Sequence, residues 1–351
     1  KSYRPFAPNH YYMFLPAEWE PHQLVLFTFP QQNGDWGASL SAVSQAMITA
    51  ANTVNKTTPV LLIVSDAEHF ALYTEQFKGD VLHIPSNDCW IRDYGPLCTW
   101  YEEDVLVLNH FKFNGWGGKF EAQKDDGVTQ RLWRAEFPEA GYRRAEVILE
   151  GGAIESDGGG TWLTTKKCLL SEGRNNWTST EAAESALREF FDIDHFLWLD
   201  NGELVGDDTD AHIDTLARFL DASTIAYVQC TDPDDEHYPS LLRMEEELKA
   251  FKTKEGQPYR LVPLPLPPKI VSLGDSRRLP ATYTNFLISN GKLFLPTYFN
   301  DMEAGHPGKK ADQLAIRNLQ KFGTYQVVPI PSRSFIEQHG SLHCLTMQIP
   351  G

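Results

Sequence analysis

Four clusters of polar residues stand inside or directly after apolar runs, where a scaffold presents side chains able to do chemistry. Near the end of the chain, His343-Cys344 sits in HGSLHCLTMQ. A cysteine among Leu, His and Thr is usually a small core residue. As a nucleophile it must become a thiolate, so it needs a positive neighbour such as an imidazolium or a cationic substrate. The distant candidate is His212, within the run Gly206-Asp207-Asp208-Thr209-Asp210-Ala211-His212-Ile213-Asp214, which packs four acids and one histidine into nine residues. Such a run is a solvated acidic loop, a metal loop, or a substrate and proton-transfer site. The calcium-hand version fails, because Ala211 replaces the needed loop glycine and no Glu closes the loop at the twelfth position. Polar and apolar residues alternate from Ile213 to Leu216, so an extended segment would place His212 and Asp214 on one face. There the carboxylate would fix the imidazole tautomer and raise its pKa.

The third cluster, Asn87-Asp88-Cys89-Trp90-Ile91-Arg92-Asp93-Tyr94-Gly95-Pro96, is by itself a turn with a local Arg–Asp pair. The fourth, Glu150-Gly151-Gly152, is by itself a bulge or a point of tight packing. Neither GxxxxGK[ST] nor a properly placed GxGxxG occurs, so no phosphate loop is present. Together the four clusters supply several carboxylates, a His, a Trp and a Cys. That set suits gripping a delocalised cation and attacking its carbon.

The elements that must position these groups show in the apolar pattern. LVLFTF (24–29) is expected as a strand, followed by a helix carrying Leu40, Val43, Met47, Ala50 and Val54, and then a strand at 59–65. A short helix is expected from Phe70 to Phe77, with strands at 81–85, 105–111, 147–154 and 161–171. Thr178 with Glu181 fits a capping box for a helix bearing Ala183, Ala186, Leu187, Phe190 and Phe191, which feeds a strand at 195–200. Further rounds give a strand at 223–230, a helix with Leu241, Met244, Leu248 and Phe251, and a strand at 260–266. The last round is a hairpin turning at Asn290-Gly291, a helix stopped by Gly323, and a strand at 325–331. About five strand-plus-helix units result, which favours a radial repeat over a doubly wound sheet. A ring of that kind lets polar groups from distant parts of the chain converge.

The 351 residues carry 31 Lys+Arg against 47 Asp+Glu, a formal charge of −16, which argues against nucleic acid or an anionic membrane as partner. With 42% hydrophobic and 22% charged residues the composition is that of a globular chain with a sizeable core. Five cysteines without CxxC spacing favour a reducing compartment. No run approaches about 18 apolar residues, and the N-terminal stretch lacks a signal-peptide core, so a cytoplasmic protein is expected.

Six stretches carry a family resemblance: PAEWEPH (16–22), NDCWIRDYGP (87–96), FNGWGGKF (113–120), EGGAIESDGGGTWLTT (150–165), the GDDTDAHIDT run from Gly206, and the terminal LHCLTMQ. In this order, over nearly the whole chain, they resemble the agmatine deiminase and bacterial peptidylarginine deiminase family of the guanidino-group-modifying superfamily. The resemblance implies a five-bladed α/β propeller (the pentein fold) of pseudo-fivefold ββαβ repeats, with residues 1–351 forming a single catalytic deiminase domain. It implies Cys344 as the nucleophile and His212 as the acid that protonates departing ammonia and then activates water. Asp93 and Asp214 would bind the guanidinium, with Trp90 packed over or beside the cation. No cofactor and no metal are implied.

Agmatine deiminases place an acid, usually Glu, four residues before the histidine to meet the substrate amine, and here it is Asp208. Ala211 stands where Gly is more usual, and EQHGSLHC replaces a glycine-rich run ending in Asn-Ile-His-Cys. The expected activity is hydrolysis of agmatine to N-carbamoylputrescine and ammonia through a covalent Cys-amidino intermediate, in putrescine and polyamine biosynthesis. The alternatives are peptidylarginine deimination, amidino transfer, a metal hydrolase using Asp207, Asp208, Asp210 and His212, and a non-catalytic guanidino-binding module. The expected partner is a small cationic guanidino substrate; the sequence leaves homo-oligomer formation open.

Overall fold

A computed structural model describes residues 13–101 and 105–351. The first twelve residues, on which part of the leader-peptide expectation rests, lie outside the described residues. The chain is α/β, and its described residues form five separate sheets. Strand β1 (His22–Thr28) leads through helix α1 (Leu40–Asn55) to β2 (Val60–Val64) and β3 (Asp80–His83), all parallel. Next come β4 (Leu97–Tyr101), β5 (Val105–Lys112), α2 (Val128–Glu136) and β6 (Gly141–Ile148). β7 (Ile154–Ser156), β8 (Thr161–Thr165), α3 (Thr180–Leu187) and β9 (His195–Leu199) follow. The fourth unit is β10 (Ala217–Asp221), β11 (Thr224–Gln229), α4 (Tyr238–Ala250) and β12 (Arg260–Pro265). The fifth is β13 (Leu287–Ser289), β14 (Lys292–Thr297), α5 (Pro307–Phe322) and β15 (Gln326–Pro331). Strand β16 (Thr346–Pro350) then returns to pair antiparallel with β1, Leu26 facing Met347.

Each sheet repeats one pattern: an antiparallel pair, a helix, and a third strand parallel to the second. In the first sheet β16 supplies the strand that the others take from just upstream. The pattern follows from the residues. VLLIV of β2 is buried throughout, as a strand covered on both faces must be. Val43, Met47, Ala50 and Val54 make the buried stripe of α1. Asn290 (φ 45°) and Gly291 (φ 79°) adopt the positive φ that a two-residue hairpin needs, and Gly323 (φ 88°) ends α5.

Four local expectations differ from the structure, one being the strand at 161–171, which ends at Thr165 where the Thr165 hydroxyl caps a helical turn at Lys166–Leu169. The helix expected at Phe70–Phe77 is a single turn at Ala67–Phe70, because Asp66 accepts the His69 N–H and starts it earlier. The cap of α3 is Ser179, whose hydroxyl accepts the Ala182 N–H, rather than Thr178. The run 147–154 is not one strand. It breaks into the end of β6, a 3₁₀ turn at Gly151–Ala153 and the start of β7, and that break carries Glu150 into the site. No helix among the described residues is long and apolar enough to cross a membrane.

Candidate active site

The candidate residues come from equivalent places in the repeats, the turn just before the first strand of each antiparallel pair. Asp93 lies in the helical turn Ile91–Tyr94 before β4, and Glu150 and Gly152 lie at the turn before β7. Asp214 is in the 3₁₀ turn Ile213–Thr215 before β10, Asn285 precedes β13, and Cys344 is in the 3₁₀ turn His343–Leu345 before β16. Asp93, Asp214 and Cys344 meet at a cavity of about 500 Å³ lined also by Trp90, Trp116, Asp208 and His212 among others. All six residues singled out for chemistry therefore share one cavity.

Asp93 is buried and held at both oxygens: Gly152 N–H donates to Oδ1 at 3.0 Å and Trp116 Nε1–H to Oδ2 at 2.9 Å. His212 lies between two acids, with Nδ1 3.6 Å from Asp93 Oδ1 and Nε2 3.9 Å from Glu150 Oε2. Glu150 is itself clamped by Arg174 Nε at 2.8 and 3.0 Å. Burial disfavours the imidazolium, yet Asp93, Cys168 and Glu150 outweigh it and hold His212 well above the ordinary histidine value. Burial pushes Asp93 up to about 6, opposed by His212 and assisted by Asp214 and Glu150. Glu150 is buried too, but His212 and Arg174 keep it below its ordinary value.

Asp214 does not pair with His212 as the alternating pattern suggested, because residues 213–215 form a 3₁₀ turn rather than an extended segment. Its partner is His343, Nδ1 to Oδ2 at 2.8 Å, and His343 Nε2 meets Glu18 Oε2 at 2.7 Å. Glu18 also meets Arg218 at 2.9 Å, so a buried line of ionisable groups runs from the PAEWEPH segment to the site. Despite burial, His343 and His212 hold Asp214 below its ordinary value, and its Oδ1 has no hydrogen-bond partner. His212 Nε2 is likewise buried without a hydrogen bond. Unpaired polar atoms in a buried site mark where a ligand completes the bonding.

Cys344 Sγ lies 3.7 Å from Asp214 Oδ2 and 3.3 Å from Asn285 Nδ2, whereas His212 had been the expected positive neighbour. Burial, then Asp214 and Asp93, push its thiol well above the ordinary value. Only a cation placed between those carboxylates would reverse that.

The metal set Asp207, Asp208, Asp210 and His212 is dispersed by other bonds. Asp207 closes its own loop, accepting from Thr209 and Ala211, while Asp210 pairs with Lys119 and Arg174 at 2.8 Å each. Among the described residues, Glu150, Cys168 and His212 do stand close enough to hold an ion, but the Arg174 cation bound to both Glu150 oxygens opposes it. Ala211 takes a left-handed φ of 65° and is buried. Ala211→Gly is therefore expected to stabilise the protein by about 1 kcal/mol, read as a higher thermal midpoint with activity retained.

Trp116, Asn285 and His343 bond directly to Asp93, Cys344 and Asp214, and Glu150 approaches His212, while Arg174 and Glu18 act one step out, on Glu150 and His343; the sequence named Glu150 and His343 only as cluster members and gave none of the six a role. The FNGWGGKF stretch held a readable signal, since Gly115 to Gly118 take four successive positive φ values, Trp116 at 55° among them. Glycines around a tryptophan fit a backbone forced to aim that ring.

Fold and site together define an α/β protein with a buried cysteine, histidine and carboxylate centre. The chain belongs to the Porphyromonas-type peptidyl-arginine deiminase family, whose model matches residues 14–350. It is 31% identical to agmatine deiminase of Pseudomonas aeruginosa over 96% of this chain and 95% of that protein. Among solved structures it resembles a C. jejuni agmatine deiminase variant with substrate bound (TM-score 0.88, 33% identity, 98% of each chain). It also resembles agmatine deiminase of Enterococcus faecalis (TM-score 0.87, 27% identity, 96% of each chain).

Proposed function

We propose that this protein is an agmatine deiminase, converting agmatine and water to N-carbamoylputrescine and ammonia, a step in putrescine biosynthesis. The observation that carries it is Cys344 beside buried carboxylates whose free oxygen awaits a cation, with relatives of that activity matching over nearly the whole chain. A guanidinium is planar, delocalised and weakly hydrated, which suits Asp93 and Asp214. Once bound, it cancels the negative field that keeps Cys344 protonated, and the thiol proton is released to solvent. Sγ then attacks the guanidinium carbon, and His212 gives a proton to the leaving nitrogen, which departs as ammonia. The same imidazole takes a proton from water as it attacks the amidino-thioether, and the C–S bond breaks to release the ureido product. Trp90 flanks the cation.

Supporting a single catalytic domain, the site-bearing turns of all five sheets hold equivalent positions. We infer that the sheets are five blades around one channel, with the site at its middle. A second cavity of about 560 Å³, lined by Glu18, Arg92, Gly151 and His343, fits the other end of that channel.

The test incubates purified protein with agmatine, free arginine and arginyl peptides, following ammonia and ureido product in the presence of a chelator. Agmatine turnover is expected; preference for an arginyl peptide would move the assignment to protein deimination, and loss in chelator would revive a metal mechanism. Asp208, half-buried at the cavity, is the proposed partner of the agmatine amine. Asp208→Asn is expected to raise KM for agmatine on the order of tenfold with little change in kcat, as loss of a charge-assisted hydrogen bond does.

A further inference from the structure

His339 stands in the loop EQHGSLHC, five residues before Cys344. Its ring stands at the cavity wall with Asp208, and its backbone takes a left-handed φ of 70°. A non-glycine residue is strained there, so the surroundings must hold the histidine in place. They do so at one nitrogen. His339 Nδ1 is 2.6 Å from the carbonyl oxygen of Gly206, and a carbonyl only accepts, so Nδ1 carries the proton. In the neutral ring Nε2 is then a lone-pair acceptor, and it lies 4.0 Å from Asp208 Oδ2.

Two acceptors that far apart match one ammonium nitrogen, whose bonds of about 2.9 Å to two oxygen or nitrogen atoms span roughly 4–5 Å. Asp35 and Asp88 also line this cavity, with Asp88 Oδ1 accepting the Cys89 N–H, whereas two further charged groups are engaged elsewhere. Asp207 is closed onto Thr209 and Ala211, and Lys119 donates to the Asp208 carbonyl and to Asp210. We propose that His339 is a specificity residue of this chain, its Nε2 and the Asp208 carboxylate forming a two-acceptor cradle for the primary ammonium at the far end of the substrate. This rests on the agmatine reading and deepens it: the substrate class becomes guanidines that end in an unsubstituted primary amine.

The test compares agmatine with n-butylguanidine, which keeps the guanidinium and chain but lacks the amine, in wild type, His339→Gly and His339→Asn. Glycine and asparagine both accept the left-handed φ, and a thermal melt checks that each variant folds. For agmatine, both substitutions are expected to raise KM about tenfold with kcat held within about twofold, the cost of one charge-assisted bond. KM for n-butylguanidine should move by less than about twofold, because it makes no bond there. An unchanged KM for agmatine, or an equal rise for both substrates, overturns the cradle while leaving the deiminase reading intact. Wild-type protein that turns over neither substrate overturns the deiminase reading and the cradle with it.

Discussion

Cys344→Ala is expected to abolish ammonia release from agmatine, a loss on the order of 10⁴-fold or more, while the protein stays folded. The side chain is buried and small, so its removal leaves little void, and the Asn285 contacts to the His343 and Cys344 backbone N–H groups survive. Ammonia release persisting in this variant would end the thiolate mechanism. A companion measurement tests how the thiolate forms. Burial, Asp214 and Asp93 all favour the thiol in the free protein, so iodoacetamide should alkylate Cys344 slowly at neutral pH and faster as pH rises. A haloacetamidine carries its own delocalised cation into the site. Relative to the same two reagents on a free thiol, the amidine should gain on the order of a hundredfold, about two pK units of thiolate population. Equal relative rates would show that the protein generates the thiolate without help from substrate. Above the His212 pKa the leaving nitrogen loses its acid, so the wild-type rate should fall at alkaline pH; that pKa lies well above the ordinary value.

Gly152→Ala is the second large effect. A Cβ there would lie 2.6 Å from His212 Nδ1, 2.8 Å from Asp93 Oδ1 and 3.2 Å from Asp214 Oδ2. One methyl group thus meets three groups of the proposed chemistry, and it also wedges at the N–H that fixes Asp93. The expected outcome is a fall in kcat/KM on the order of 10²–10³-fold, with a stability cost of about 1–3 kcal/mol from overpacking. A variant of near-normal activity would mean that Asp93 and His212 tolerate displacement, contrary to their assigned roles. Gly151→Ala makes a contrasting control: its Cβ would meet the Arg92 carbonyl oxygen at 2.3 Å, a backbone atom that cannot step aside, so the damage should fall on folding.

Much of this was legible in the residues, and the misses have physical causes. The repeat of strands and helices emerges from apolar spacing because the buried faces of β2, α1 and α4 leave long, regular patterns. The nucleophile, histidine and aspartates stood out through unusual polar density beside those runs. Pairing inside the site was not legible. His212 and Asp214 are two residues apart, yet Asp214 bonds to a histidine 129 positions away and His212 faces Asp93 and Glu150. Local alternation reports which face a residue shares, whereas a tight turn re-aims it. Glu150 was overshadowed by the two glycines that follow it, which themselves clear space for Asp93 and His212. Glu18 offered no chemical cue at all, being one acid in a short turn-forming segment, and only the fold delivers it to His343.

Strand β16, which follows the nucleophile and pairs with β1, has a consequence for biosynthesis. Glu18 and His343 are separated by 325 positions. At about 5–20 residues per second a ribosome takes roughly 15–65 s between the two. During that interval β1 presents an uncovered edge and Glu18 lacks its imidazole, so the nascent chain carries an adhesive strand without Cys344. Chains halted before β16 are expected to be both inert and prone to aggregate.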